Sequence, residues 1–479
     1  MNHETLIAVG VLVLAGLTGY GVVEYLRRKK REKAQANRPA PKPAKKPKAP
    51  KHQPSVWTRT DAHKVVADKV ALTQPAIPDD FPIMSDDWFV WDTWPLMNEK
   101  NEPVKYNGWN VIFSLVAPRD KTTKNITEDF NNRHGKARIG VWISRDAKSW
   151  QFNGLLFDGC HSLGEQEWAG CTVLNKDNEI TVYYTAKYAT NSIPTKVTGK
   201  IHSDGEGVFF TGFRDFIHLF EADGVWYQTY EQNEMYGFRD PWFFRDPKDG
   251  KAYLLFEGNV AGVRGSHVVT QRDIGKNKEH VPDGARFQTA NIGIARAVDD
   301  KCEQFELLPP LITAVGVNDQ TERPHMVFKD GKVYLFTISH AFTYAEGLKG
   351  PDGVYGFVAD DIFGPYKPMN GSGLVLGNPS QAPYQSYSHY VMPNLLVESF
   401  IDSTPWAHSQ DKGAYRVGGT LAPTVRIELK GDTSQVVESL GYGYIPEMTQ
   451  AIYRDDKVVR VKDQPSETKP VSADPHGSK

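Results

Sequence analysis

KDGKAYLLFEG at residues 248–258 and KDGKVYLFTIS at residues 329–339 share one form, both opening KDGK and both placing Tyr-Leu two residues later. Each sets a DG turn before an apolar run, the strongest short signal for a β-hairpin. KDNEITVYYTA at 176–186 and ADGVWYQTYE at 222–231 repeat the acidic turn and the run that follows it. A second form recurs as RIGVWISRDAKSWQF (138–152), NIGIARAVDDKCEQFELL (291–308) and DGVYGFVADDIFGPYKPM (352–369). Each of these reads as a small-residue strand, an acidic turn, and an aromatic or apolar strand. Between Trp57 and Arg454 no long stretch has helical periodicity. Hairpins repeated tens of residues apart predict an all-β fold. The blades of a β-propeller fit that pattern, with a sandwich or a β-helix as the structural alternative. In a propeller the innermost strands converge on one axis, so carboxylates distant in sequence can meet.

Ahead of the hairpins the chain changes character. Thr5 to Leu26 is an apolar run with one charge, Glu24. As a helix it would span about 33 Å, enough for a bilayer. It starts MNHE and has no clear small-x-small cleavage site, so the expectation is an uncleaved single-pass anchor over 1–26 rather than a signal peptide. Residues 27–56 form a basic linker rich in Pro and Lys, suited to extended polyproline II. Residues 57–454 are expected to be the propeller, and 455–479 a polar tail. The basic flank RRKKREK favours a cytoplasmic side for the main domain, and the side is left open because the chemistry read below can require the other one.

The 479 residues carry a formal net charge of −2, but 12 of the 56 basic residues lie in 27–54. The remainder is acidic, which argues against a nucleic-acid partner. Cys160, Cys171 and Cys302 make no disulfide framework and no CxxC pair. Cys171 reads as a small buried thiol. Aromatics reach 11%, which suits a carbohydrate site and an all-β core equally.

Three acids stand out. Asp92 lies in VWDTWP, Asp240 in YGFRDPWFF and Glu322 in VNDQTERPHMVF. Alone, an RDP is a strand-ending turn and an Glu-Arg pair is a surface ion pair. Together, on separate predicted blades, they match retaining glycoside hydrolysis. That chemistry needs an ionised nucleophile, an acid whose pKa is raised, and a group to stabilise oxocarbenium-like charge. Asp86 and Asp87 have no partner motif and read as solvated residues at the strand's start.

VWDTWP, EWAG, FRDP and DQTERP, in that order, resemble the levansucrase and inulosucrase family, glycoside hydrolase family 68. GPDGVYGFVADD (350–361), QSYSHYVMP (385–393), LVESFID (396–402) and GGTLAPTVRI (418–427) are most similar to its Gram-negative branch. The resemblance covers about 57–450 and implies a five-bladed propeller that splits sucrose. It implies Asp92 as nucleophile, Glu322 as general acid/base and Asp240 as transition-state stabiliser. Trp91 and Trp168 would wall the fructosyl pocket. Arg239 and Arg323 would bind hydroxyls of the glucosyl or acceptor sugar, and Glu257 would brace that side. Gln320 and His340 match acceptor-side positions, and Tyr387 would orient the acid/base. Ala169 replaces a serine that in the family supports the nucleophile. Asp319 matches one position of a calcium site found in Gram-positive members, but the rest of that loop does not match, so no metal and no organic cofactor is expected. The implied activity is fructosyl transfer from sucrose to water or sugars, giving fructo-oligosaccharide, levan or inulin. A plain invertase and a non-catalytic carbohydrate-binding propeller are the rivals. The catalytic domain is expected to be monomeric.

Overall fold

The DG turn of 329–339 folds as its pattern predicts. Asp330 and Gly331 both take positive φ, 51° and 72°, and Lys329 pairs with Lys332 across the turn. This is the type I′ geometry that matches the twist of the flanking strands. The computed structural model describes residues 52–451 apart from 176, 410, 412 and 447. The expected anchor, most of the linker and the tail lie outside the described residues. Among the described residues no helix is long and apolar enough to cross a membrane.

The fold is all-β, with curled sheets built from five consecutive antiparallel groups. Each group opens with one strand: β1 (Trp88–Asn98), β2 (Gln166–Leu174), β3 (Phe238–Arg245), β4 (Glu322–Lys329) and β5 (Ser386–Val391). β1 is followed outward by Trp109–Pro118, Arg138–Ser144 and Gln151–Leu155. β2 leads to Glu179–Lys187, Ser192–Ser203 and Val208–His218. β3 leads to Ala252–Asn259, Ala290–Ala297 and Phe305–Thr313. β4 leads to Lys332–Ser339 and Gly353–Ala359, and β5 to Leu396–Pro405. Parallel pairing of Leu96–Asn98 with Thr172–Leu174 joins the first two groups into one sheet. Thr449–Ala451 returns to pair with Val104–Tyr106, which ties the end of the described chain to the first group.

Two expectations are corrected. ADGVWYQTYE forms no strand. The Asp223 carboxylate accepts the backbone amides of Val225, Trp226 and Tyr227, and this local capture curls the segment into a turn with a single bridge from Tyr227 to Val260. The folded body also begins before Trp57. Ser55 and Val56 pair in parallel with Ile312 and Thr313, and the His52 ring stacks on Phe363 at 4.9 Å.

All five opening strands break register at the same place. The breaks fall between Trp91 and Trp94, Trp168 and Gly170, Arg239 and Trp242, Glu322 and His325, and Tyr387 and Tyr390. Four of them hold a non-glycine residue at positive φ: Asp92 (46°), Asp240 (63°), Arg323 (46°) and Ser388 (58°). Such residues cost of order 1 kcal/mol or more each and persist where the surroundings over-determine them. In the fifth, Gly170 passes so close to the neighbouring strand that a Cβ would lie 1.8 Å from the Tyr183 carbonyl oxygen. A bulge re-aims the side chains around it. Below the bulges the strands lock together. Trp242 Nε1 donates to Tyr390 Oη (2.8 Å), Tyr390 stacks on His325 (4.5 Å), and Val391 N donates to His325 Nε2 (2.9 Å).

Candidate active site

Each bulge delivers a pair of adjacent residues to one place. They are Trp91–Asp92, Trp168–Ala169, Arg239–Asp240, Glu322–Arg323 and Tyr387–Ser388. Nine of these ten line a single cavity of about 530 Å³, joined by Gln320, His340, Phe342, Arg133, His134 and Asp402. Ser388 lies just beneath. The three acids singled out in the sequence therefore share one pocket, on three different strands.

Their hydrogen bonds divide the work. Arg239 donates from Nη2 to Glu322 Oε1 (2.7 Å) and pairs through Nε with Glu257 Oε2 (2.8 Å). Tyr387 Oη donates to the other Glu322 oxygen. Asp240 accepts the Arg323 backbone amide at 3.1 Å, and its own amide donates to Thr185 Oγ1 at 2.9 Å. The Arg323 guanidinium turns downward. It donates to the Thr93 carbonyl (2.7 Å) and to Ser388 Oγ (2.6 Å), so it bridges β1, β4 and β5. These bonds satisfy buried groups that would otherwise be unpaired, and the residue also lines the cavity.

Burial raises the carboxyl of Asp92, and Arg323, the Ser388 hydroxyl and Arg133 oppose that rise. Ser388 thus supplies a supporting hydroxyl that Ala169 does not. Burial pushes Asp240 up to about 7 despite Arg239, and the charges of Glu322 and Asp92 add to the rise. Burial also pushes on Glu322, but Arg239, His340 and the Tyr387 hydroxyl outweigh it and hold that carboxyl below its ordinary value. A general acid needs a raised value, which these three neighbours oppose. Glu257 stands behind Arg239, outside the cavity wall, and burial pushes it well above the ordinary range.

His340 is held by Asp352, whose carboxylate oxygens meet His340 Nδ1 (2.8 Å) and Ala341 N (2.7 Å). Asp352, Glu322 and Asp402 together overcome burial and raise its pKa. His134 goes the other way. Burial and Arg133 lower it to about 3, so it stays neutral between the Trp91 and Trp168 rings. Gln320 Oε1 is buried and has no protein partner. Asp319 is engaged by Arg264 (3.3 Å) and by the Thr289 amide (3.2 Å). Among the described residues no cluster of His, Cys, Asp and Glu is arranged to hold a metal.

The sequence profile of the levansucrase/invertase family matches residues 47–446. The chain belongs to glycoside hydrolase family 68. It is 52% identical to a levansucrase of Rahnella aquatilis over 417 residues, which covers 84% of this chain and 98% of that protein. A crystal structure of levansucrase from Gluconacetobacter diazotrophicus superposes with a TM-score of 0.75 at 38% identity, covering 85% of this chain and 96% of that one. The β-fructofuranosidase catalytic domain of Microbacterium saccharophilum K-1 superposes with a TM-score of 0.76 at 36% identity, covering 85% and 97%.

The pocket of this family 68 chain holds residues that sequence reasoning missed. Arg133 and His134 come from the turn Asn132–Lys136, which follows the short helix Ile126–Asn131. The Arg133 guanidinium lies over the rings of Phe130 (3.7 Å) and Trp91 (5.3 Å). Asp402 closes the LVESFID segment at the end of its apolar run. Cys171 is buried, accepts the Phe243 amide at 3.1 Å, and has its thiol pushed up to about 12 by burial.

Proposed function

We propose that this enzyme splits sucrose by double displacement and passes the fructosyl unit to a growing levan chain, to a smaller sugar or to water. The single observation that carries the reading is that Asp92, Asp240 and Glu322 meet in one pocket, with Glu322 held between Arg239 and Tyr387. Asp92, drawn toward its ionised form by Arg323, Arg133 and Ser388 against the pull of burial, attacks the anomeric carbon. Glu322 protonates the glycosidic oxygen and glucose leaves. Asp240 faces the fructosyl hydroxyls and stabilises the oxocarbenium-like charge. Glu322 then takes the proton of the acceptor hydroxyl as it attacks. Its uptake of the first proton follows from the forces already on it. Sucrose excludes water and draws Arg239 donors onto its hydroxyls, so desolvation prevails over the ion pair.

Trp91 and Trp168 wall the fructosyl side, and Gln320 and His340 stand on the acceptor side. Five groups, each with one opening strand at the pocket, support a five-bladed propeller. No cofactor is required in this scheme. An N-terminal membrane anchor and a monomeric catalytic unit complete the proposal, with the side of the membrane to be read by protease accessibility in spheroplasts.

Incubation of the enzyme with sucrose followed by product analysis tests the reading. Glucose should exceed free fructose, with the difference in levan-type product, and Asp92→Asn and Glu322→Gln should abolish both. Equal glucose and fructose would mean a plain hydrolase, the activity named for the Microbacterium neighbour at 36% identity. The levansucrase relatives at 52% favour transfer. Sucrose binding without glucose release would refute the enzyme reading.

A further inference from the structure

One side chain at the mouth of the pocket is not used by the chemistry above. Phe342 lies on the one-turn segment Ala341–Thr343, lines the cavity, and leaves 74% of its surface to water. Its ring is near-parallel to His340, with centroids 4.7 Å apart and planes 21° apart. Tyr387 covers the imidazole at 3.5 Å and 13°. A second near-parallel ring cannot share that face with Tyr387, so Phe342 takes the opposite one. The Tyr387 hydroxyl then reaches Glu322. Phe342, His340 and Tyr387 thus form a stack that runs from solvent to the acid. Asp352 fastens the turn at both His340 and Ala341, so the outer ring is held in place before any ligand arrives.

An open phenyl face held on a braced turn invites an apolar partner. A sugar ring offers one, because its hydroxyls ring the edge while one face carries mainly C–H groups. We propose that Phe342 is the platform for the acceptor sugar, and that it sets how often a sugar rather than water takes the fructosyl unit. The inference rests on the sucrose reading given above. Glu322 stands at the inner end of the stack, so a sugar lying on Phe342 is on the leaving-group side, where an acceptor must enter. Stacking leaves its edge hydroxyls free, and the unpartnered Gln320 Oε1 is available to one of them. In the transfer step the acceptor oxygen bonds to the anomeric carbon and the bond to Asp92 breaks. Its electron pair returns to the Asp92 carboxylate, and the acceptor proton passes to Glu322.

The test uses the full chain and sucrose as both donor and acceptor. Total glucose reports cleavage, and glucose minus free fructose reports transfer. Phe342→Ala should need roughly five-fold more sucrose to reach half of its maximal transferred share, from the ring area no longer buried. Phe342→Trp keeps a flat face and should restore the wild-type partition. If Phe342→Ala partitions like the wild type at every sucrose concentration, or if Phe342→Trp falls as far as Phe342→Ala, the platform is refuted while glucose release leaves the sucrose reading standing. If the wild type releases no glucose, the sucrose reading fails and the platform with it.

Discussion

Asp240 should be worth more to catalysis than it costs the fold, and Asp240→Asn separates the two. Burial lifts this carboxyl from 3.8 to about 7. The sign follows from proton binding. Between about pH 4 and 7 the folded chain keeps a proton that the unfolded chain has released, so stability falls as pH rises through that window. Above pH 7 the folded state carries the whole penalty, ~4 kcal/mol at about 1.4 kcal/mol per pH unit. The amide removes that penalty, yet Arg239 (3.9 Å away) loses a neighbouring negative charge. The Arg323 amide can still donate to the asparagine oxygen. A net gain of about 2 kcal/mol is expected at pH 8 and almost none at pH 4. Urea unfolding at the two pH values measures it, and glucose release should fall by roughly a thousandfold. A variant less stable than the wild type at pH 8, or one with the same difference at both pH values, would refute the reasoning.

Tyr387→Phe removes a hydroxyl that draws the Glu322 carboxyl down, so Glu322 should hold its proton to higher pH. The basic limb of glucose release against pH should move upward, with kcat lower by roughly ten-fold or more. Arg323→Lys keeps the charge but cannot span Thr93 O and Ser388 Oγ together, and should cost about 2–3 kcal/mol in urea unfolding, the size of one charge-assisted bond. Gly170→Ala would drive a methyl into the Tyr183 carbonyl, and should lose about 3 kcal/mol of stability in the same assay.

Much of the site was legible because its acids sit in motifs that local chemistry makes unusual. An aspartate between tryptophans, and an arginine beside an acid before proline, have no good reason to recur on a solvated strand. The hairpins were legible through Asp-Gly turns, whose positive φ only a few residues accept. ADGVWYQTYE misled because its Asp-Gly turn and the apolar run behind it are genuine, but Asp223 captures three amides that a strand would have needed. Arg133 and His134 carry no local signature. They matter only because tertiary packing swings a turn over Trp91. Arg323 could be placed at the site from its motif, but its direction could not, since the side chain answers to Thr93 and Ser388 on two other strands.

The alignment of five bulges bears on how the protein comes to life. No stretch of chain holds a working fraction of the pocket, because its walls are drawn in turn from Trp91 through to Tyr387. Every group must be seated before the first sugar can be cut, and the loss of any one empties the whole. Activity in such a ring is a vote that must be unanimous. Glucose release should therefore appear late in refolding, in a single phase with the last long-range packing. Cutting any one connection between the groups should silence the enzyme to the extent that it lets that group swing free.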